Sequence, residues 1–253
     1  MYRPRVIPVL LLQNLGLVKT VKFNKPRYIG DPINAVKIFN DLRADELVFL
    51  DITANRENRK VSLDFVQKVG AEANMPFAVG GGIRSIADIK EIINAGAEKV
   101  ILNTHIFEKP ELLKNAVAVY GSSTIVVSID VKKRLLKGQQ VYIYGGTKAT
   151  GEDPVEYAQK VEQLGVGEII INSIDCDGMM NGYDLELINK ISEAVTIPVV
   201  AVGGAGKIAD FSAAIKEGNA SAVAAGSMFV YHGPRNAVLI NYPARHELKE
   251  VFI

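Results

Sequence analysis

Short, continuously apolar runs recur along the chain at residues 6–12, 47–52, 76–79, 100–102, 125–129, 169–174, 198–202 and 222–225. Each has the length of a buried strand. Between most of them lie segments of helical period, such as 32–42, 86–95, 154–164 and 208–216. Strands without polar alternation are buried on both faces, which implies a parallel sheet covered by helices. Eight strand–helix units within 253 residues predict an α/β fold, a (β/α)8 TIM barrel, as a single domain over residues 1–253. An open, doubly wound sheet is the competing arrangement.

The pattern also repeats. Asp31-Pro32 and Asp153-Pro154 lie 122 positions apart, and each places a capping carboxylate before a proline at the first helical position. The same offset pairs Glu46 with Glu168, Pro76 with Pro198, Gly81-Gly82 with Gly203-Gly204, and Gly96 with Gly218. It also pairs Ile86-Ala87-Asp88 with Ile208-Ala209-Asp210, and Phe107 with Phe229. No gap is needed from residue 31 to residue 107. Two similar half-barrels of four strands account for this register.

Composition removes several function classes. Lysine plus arginine number 29 against 28 acidic residues, so charge gives no case for nucleic-acid binding. No apolar run approaches the ~20 residues that span a bilayer. The N-terminus, Met1-Tyr2-Arg3-Pro4-Arg5, runs into a strand without a small-residue cleavage site. Cys176 is the only cysteine, and His105, His232 and His246 lack ligand-like spacing, so no metal site or cofactor is expected. These features together predict a soluble cytoplasmic protein.

Each half carries a glycine-rich strand end, "VGGGI" at 79–83 and "VGGAG" at 202–206. The next strand in each half ends in small or polar residues, Asn103-Thr104 and Gly226-Ser227. Glycines let backbone N–H groups approach an anion, and barrel enzymes hold phosphate at such strand ends. Tight turns alone would also use glycine, but two related copies suit a phosphorylated ligand with an anionic group at each end. Acidic residues follow other strands: Asp51, Asp130, Asp175 and Asp177. On a barrel they face one mouth, where proton transfer would occur, although aspartate after a strand can equally cap a turn. Asp130 follows a clean apolar strand and reads as functional. The matching position in the first strand, aligned run to run, is Leu11.

The segments "VGGGIRS", "ILNTHIF", "VVSIDVK", "NSIDCDGMMNGYDLELI" and "VAVGGAGKIADF" resemble the cyclase subunit of imidazole glycerol phosphate synthase over nearly the whole chain. The resemblance implies a half-repeat barrel that binds a bis-phosphorylated substrate and receives ammonia from a glutaminase subunit on its N-terminal face. It assigns Gly81, Gly82, Asn103 and Thr104 to one phosphate and Gly203, Gly204, Gly226 and Ser227 to the other. Lys19 and Asp51 are implied near the first-half site, and Asp177 near the substrate. Asp130 corresponds to one of two acid–base aspartates, but Leu11 occupies the place of the other. Asn14, Leu15 and Gly16 replace the family's Asp-Gly-Arg, and Asn172 and Met179 stand where threonines are usual.

Arg5, Glu46, Lys99 and Glu168 each begin a predicted strand. Charges entering a narrow barrel from one end would pair, and such a cluster can serve stability alone. In the resembled family these four positions form an ammonia gate, and all four residue types match. Losing an acid–base group typically costs 10²- to 10⁴-fold in rate, or roughly 3–5 kcal/mol of barrier. An intact gate together with a missing acid resembles paralogues that act with a glutaminase and an ATP-dependent amide-transfer enzyme in making acetamidino groups on bacterial surface sugars. The alternatives are a competent cyclase of histidine biosynthesis using Asp130 with Asp51 or Asp177, and the sister isomerase of that pathway, which needs no gate.

Overall fold

The computed structural model describes residues 3–135 and 137–253; Met1 and Tyr2, which open the N-terminal segment read above, lie outside them. All eight apolar runs form strands: β1 Arg5–Gln13, β2 Leu47–Asp51, β3 Phe77–Gly80, β4 Lys99–Leu102, β5 Ile125–Arg134, β6 Glu168–Ser173, β7 Val199–Val202 and β8 Ala222–Ala225. Each pairs in parallel with its sequence neighbour, and β1 also pairs with β8, Arg5 opposite Ala222. The ring therefore closes, and the open sheet is excluded. Closure leaves no unpaired edge among the eight.

Side chains alternate across each strand, which divides the apolar residues into two layers. Ile7, Val9, Val48, Val126, Ile170 and Val200 fill the barrel interior, with Leu11 and Leu50 packed above them. Val6, Leu10 and Leu12 of β1 face outward with Phe39, Phe49 and Phe211 in the larger layer between strands and helices. Continuous hydrophobicity is thus needed because both faces are buried.

The helices are α1 Pro32–Asp41, α2 Leu63–Glu72, α3 Ile86–Asn94, α4 Pro110–Tyr120, α5 Pro154–Gln163, α6 Leu185–Ala194, α7 Ile208–Lys216 and α8 Arg245–Phe252, with a short turn of helix at Thr104–Glu108. The repeated caps act as the sequence implies. Asp31 accepts from the Asn34 amide and Asp153 from those of Val155 and Glu156. Among the described residues, no helix is long and apolar enough to cross a membrane.

Two barrel strands run on into antiparallel hairpins that were not anticipated. β1 turns back into Gly16–Val21, which pairs with Asn24–Gly30. β5 continues five residues beyond the apolar run and pairs antiparallel with Gly138–Ile143. The first hairpin turns through Asn14, Leu15, Lys22 and Phe23, all with φ between 50° and 63°. Left-handed pairs match the twist of two-residue hairpins, and Asn-Gly is their usual signal. Leucine, lysine and phenylalanine carry none.

Candidate functional site

At the N-terminal end of the barrel, the first residues of β1, β4 and β6 and the residue preceding β2 converge. Arg5 spans the axis, pairing through one nitrogen with Glu46 and through the other with Glu168. Lys99 Nζ lies 3.1 Å from Glu46 Oε1 and 3.1 Å from Glu168 Oε1. The four charges form a closed alternating ring in which each carboxylate has two cationic partners. Glu46 and Glu168 are buried, so this mutual pairing offsets a desolvation penalty of several kcal/mol per ion.

Above the ring, the interior is apolar as far as a void of about 10 Å³, lined by Val9, Leu50, Val202 and Ala224 with Ser128 and Asn172. At the C-terminal strand ends this gives way to a cavity of about 570 Å³. The two spaces share Val9, Leu50, Ser128, Asn172 and Val202 in their walls. The charged ring and the cavity thus lie at opposite ends of one apolar, side-chain-filled barrel interior.

Both glycine-rich strand ends open into the cavity. Gly81, Gly82, Asn103 and Thr104 line one side, and Gly203, Gly204, Gly226 and Ser227 the other. Gly81 has φ 132° and a Cβ there would lie 2.8 Å from the Asp51 carbonyl oxygen; Gly203 has φ 91° and a Cβ there would meet the Ser173 carbonyl at 2.8 Å. A side chain is excluded at both positions, which leaves backbone facing the cavity.

Asp130 is buried in the cavity wall, and Asn103 Nδ2 donates to its Oδ2 at 3.1 Å and to the Ser128 carbonyl at 2.9 Å. Burial lifts its carboxyl to about 7, against the Asn103 hydrogen bond, with a further upward push from the charge of Asp177. A carboxyl titrating near neutrality can both give and take a proton. Leu11 lies in the same cavity wall, packed on the barrel interior and beside Leu50 of β2. No second carboxyl takes its place on β1.

Asp51 and Asp177 line the cavity and also hold loops. Asp51 accepts from the Thr53 and Ala54 amides and pairs with Arg59 at 2.5 Å. Arg59 went unread because nothing local marks an arginine eight residues after an aspartate as its partner. Asp177 accepts from Thr20 Oγ1 at 2.8 Å and the Phe23 amide at 3.1 Å, which ties the first hairpin over the cavity; burial raises its carboxyl above the usual range. Asp175 accepts from the Lys133 amide at 2.8 Å and anchors the second hairpin.

Two positions differ from what the resemblance implies. Lys19 lies beside the second-half strand end. Its Nζ donates to the Val9 carbonyl at 2.6 Å and lies 2.6 Å from where a Cβ on Gly226 would be, beside the second-half grip. The reason is closure: β1 neighbours β8, and the hairpin that carries Lys19 folds toward that side. Met179 is exposed and absent from the cavity wall, where Met180 stands instead. His105 and Tyr144 are additional wall residues; the Tyr144 amide donates to Thr104 Oγ1 at 3.0 Å. Tyr144 follows the unanticipated second hairpin, so no sequence signal placed it here.

The sequence profile of the histidine biosynthesis protein family matches residues 5–234. A Leptospira interrogans protein provisionally named imidazole glycerol phosphate synthase subunit HisF is 44% identical over 253 residues, all of both chains. A Pseudomonas aeruginosa protein provisionally named subunit hisF2 of that synthase is 46% identical over 248 residues, 98% of this chain and 99% of the relative. The imidazole glycerol phosphate synthase subunit HisF of Alkaliphilus metalliredigens is 43% identical over 232 residues, 92% of each chain.

Proposed function

Because this chain belongs to the histidine biosynthesis protein family, as a HisF-like cyclase subunit, we propose that it accepts ammonia from a glutaminase subunit docked on its N-terminal face and relays it through the barrel. The observation that carries this reading is the closed ring of Arg5, Glu46, Lys99 and Glu168 beneath an apolar barrel interior that separates it from the cavity. Neutral ammonia can cross an apolar lumen that excludes ions, since burying an unpaired charge is far more costly. The ammonia is used in amidination of a bacterial surface sugar, with an ATP-dependent amide-transfer enzyme as a further partner. Leu11 supports that role over ring closure, because a leucine can neither donate nor accept a proton.

The two glycine-rich grips suit a ligand phosphorylated at both ends. A second reading, a competent cyclase, draws support from Asp130: a carboxyl near 7 can perform proton transfer without the missing aspartate.

The test is product formation from ammonium ions and the bis-phosphorylated substrate of imidazole glycerol phosphate synthase, by the wild-type chain and by Leu11→Asp. The relay reading expects a silent wild type that binds the substrate, and a variant that gains on the order of 10²-fold or more in turnover. Robust wild-type turnover would overturn it in favour of the cyclase.

A further inference from the structure

Lys19 is an unusual cation. It is 4% exposed, and among the described residues no carboxylate lies within ion-pair distance of its Nζ. Its one hydrogen bond runs to a backbone carbonyl, that of Val9. Lysine is seldom fully buried without a partner, and lone buried lysines are characteristic of nucleophilic sites. The amine borders the cavity beside Gly226, where the missing side chain leaves room, and next to Ser227 of the second-half grip.

We propose that Lys19 is a Schiff-base nucleophile toward a ketose phosphate whose phosphate rests on Gly203, Gly204, Gly226 and Ser227. Desolvation by burial lowers the ammonium to about 8, opposed by the charge of Asp177, so a substantial fraction is neutral near physiological pH. The Nζ lone pair attacks the ketone carbon, the C–N bond forms, and the carbonyl π pair moves to oxygen, which takes a proton. The carbinolamine then loses its hydroxyl as water once protonated, leaving an iminium; ketone and protonated lysine give iminium and water. Asp177, whose charge acts on Lys19 and whose own carboxyl is raised by burial, is the adjacent group able to carry that proton. An iminium is more electrophilic than a ketone. On the cyclase reading above, ammonia entering the cavity displaces Lys19 by transimination, giving the protonated ketimine and the free lysine amine, and covalent activation of this kind would compensate for the acid absent at Leu11.

The experiment traps the iminium. The full chain is incubated with dihydroxyacetone phosphate and cyanoborohydride near neutral pH, then analysed by intact mass and peptide mapping. One reduced triose phosphate on Lys19 is expected, formed on the order of a hundredfold faster than on an exposed lysine, as its larger neutral fraction dictates. Inorganic phosphate should protect, and unphosphorylated dihydroxyacetone should label slowly. Lys19→Arg should still bind inorganic phosphate by calorimetry while losing the label, which separates nucleophile from simple phosphate cation. Labelling spread over surface lysines, or none on Lys19 at saturating ketose phosphate, would overturn the proposal, as would failure of the ketose phosphate to bind. The trap needs neither glutaminase nor ammonia, so its failure leaves the relay standing, and loss of the relay leaves the trap standing.

Discussion

Lys99→Met removes one cation from the ring while keeping an apolar stem of similar length. Lys99 sits 3.1 Å from a carboxylate oxygen of each glutamate. At an effective dielectric near 20, a pair at that distance attracts by roughly 5 kcal/mol before desolvation is counted. Desolvation offsets most of this, and Lys99 is about one-fifth exposed. Both glutamates also keep Arg5. The net loss then falls between an exposed pair, at most about 1 kcal/mol, and a broken buried pair, about 3–5 kcal/mol. About 2 kcal/mol is the expected cost, or a fall in Tm of roughly 4–8 °C for a chain of this size. The barrel should remain folded. In complex with the proposed glutaminase subunit, the variant should release ammonia to bulk solvent, raising the glutamate formed per aminated product, whereas Lys99→Arg should restore coupling. Lowered Tm with unchanged coupling would refute the gate and leave the ring as a stabilising cluster.

Burial lifts Asp130 from 3.8 to about 7. Between those values the folded chain holds a proton that the unfolded chain has released, so this group's contribution makes stability fall as pH rises through the window and level off above it. Asp130→Asn should therefore melt higher than wild type at pH 8 and close to it near pH 4; parallel Tm–pH profiles would sink the assignment. Asp31→Ala and Asp153→Ala each remove a helix cap and should cost about 1 kcal/mol apiece in chemical denaturation. The two losses should add in the double variant, since the caps sit on separate helices. Gly82→Ala places a Cβ at φ 66° against the Arg59 carbonyl and should abolish inorganic-phosphate binding at the first-half grip, measured by calorimetry. Unchanged binding there would mean that this turn does not hold the anion.

Much of the fold was legible because its signals are local. Continuous apolar runs need burial on both faces, and the 122-residue offset carried the capping aspartates and paired glycines in one register. Charges that begin strands must meet at one end of a closed ring, so Arg5, Glu46, Lys99 and Glu168 could be grouped before any distance was known. The first hairpin was hidden because three of its four left-handed turn residues, Leu15, Lys22 and Phe23, carry no turn signal. Tyr144 was lost with the second hairpin, and Arg59 was lost because its partner is fixed by the path of a loop.

The sequence alone determined the eight strands, the twofold repeat, the charge ring and the absence of an acid at Leu11, since each follows from residue type and spacing. Only the tertiary structure decided where Lys19 belongs. Closure puts β8 beside β1, so the hairpin carries the lysine to Gly226 rather than across to Gly81. It also buries that amine against a backbone carbonyl without a carboxylate. An ammonium's chemistry depends on the water and charge around it, and no linear pattern of residues specifies those.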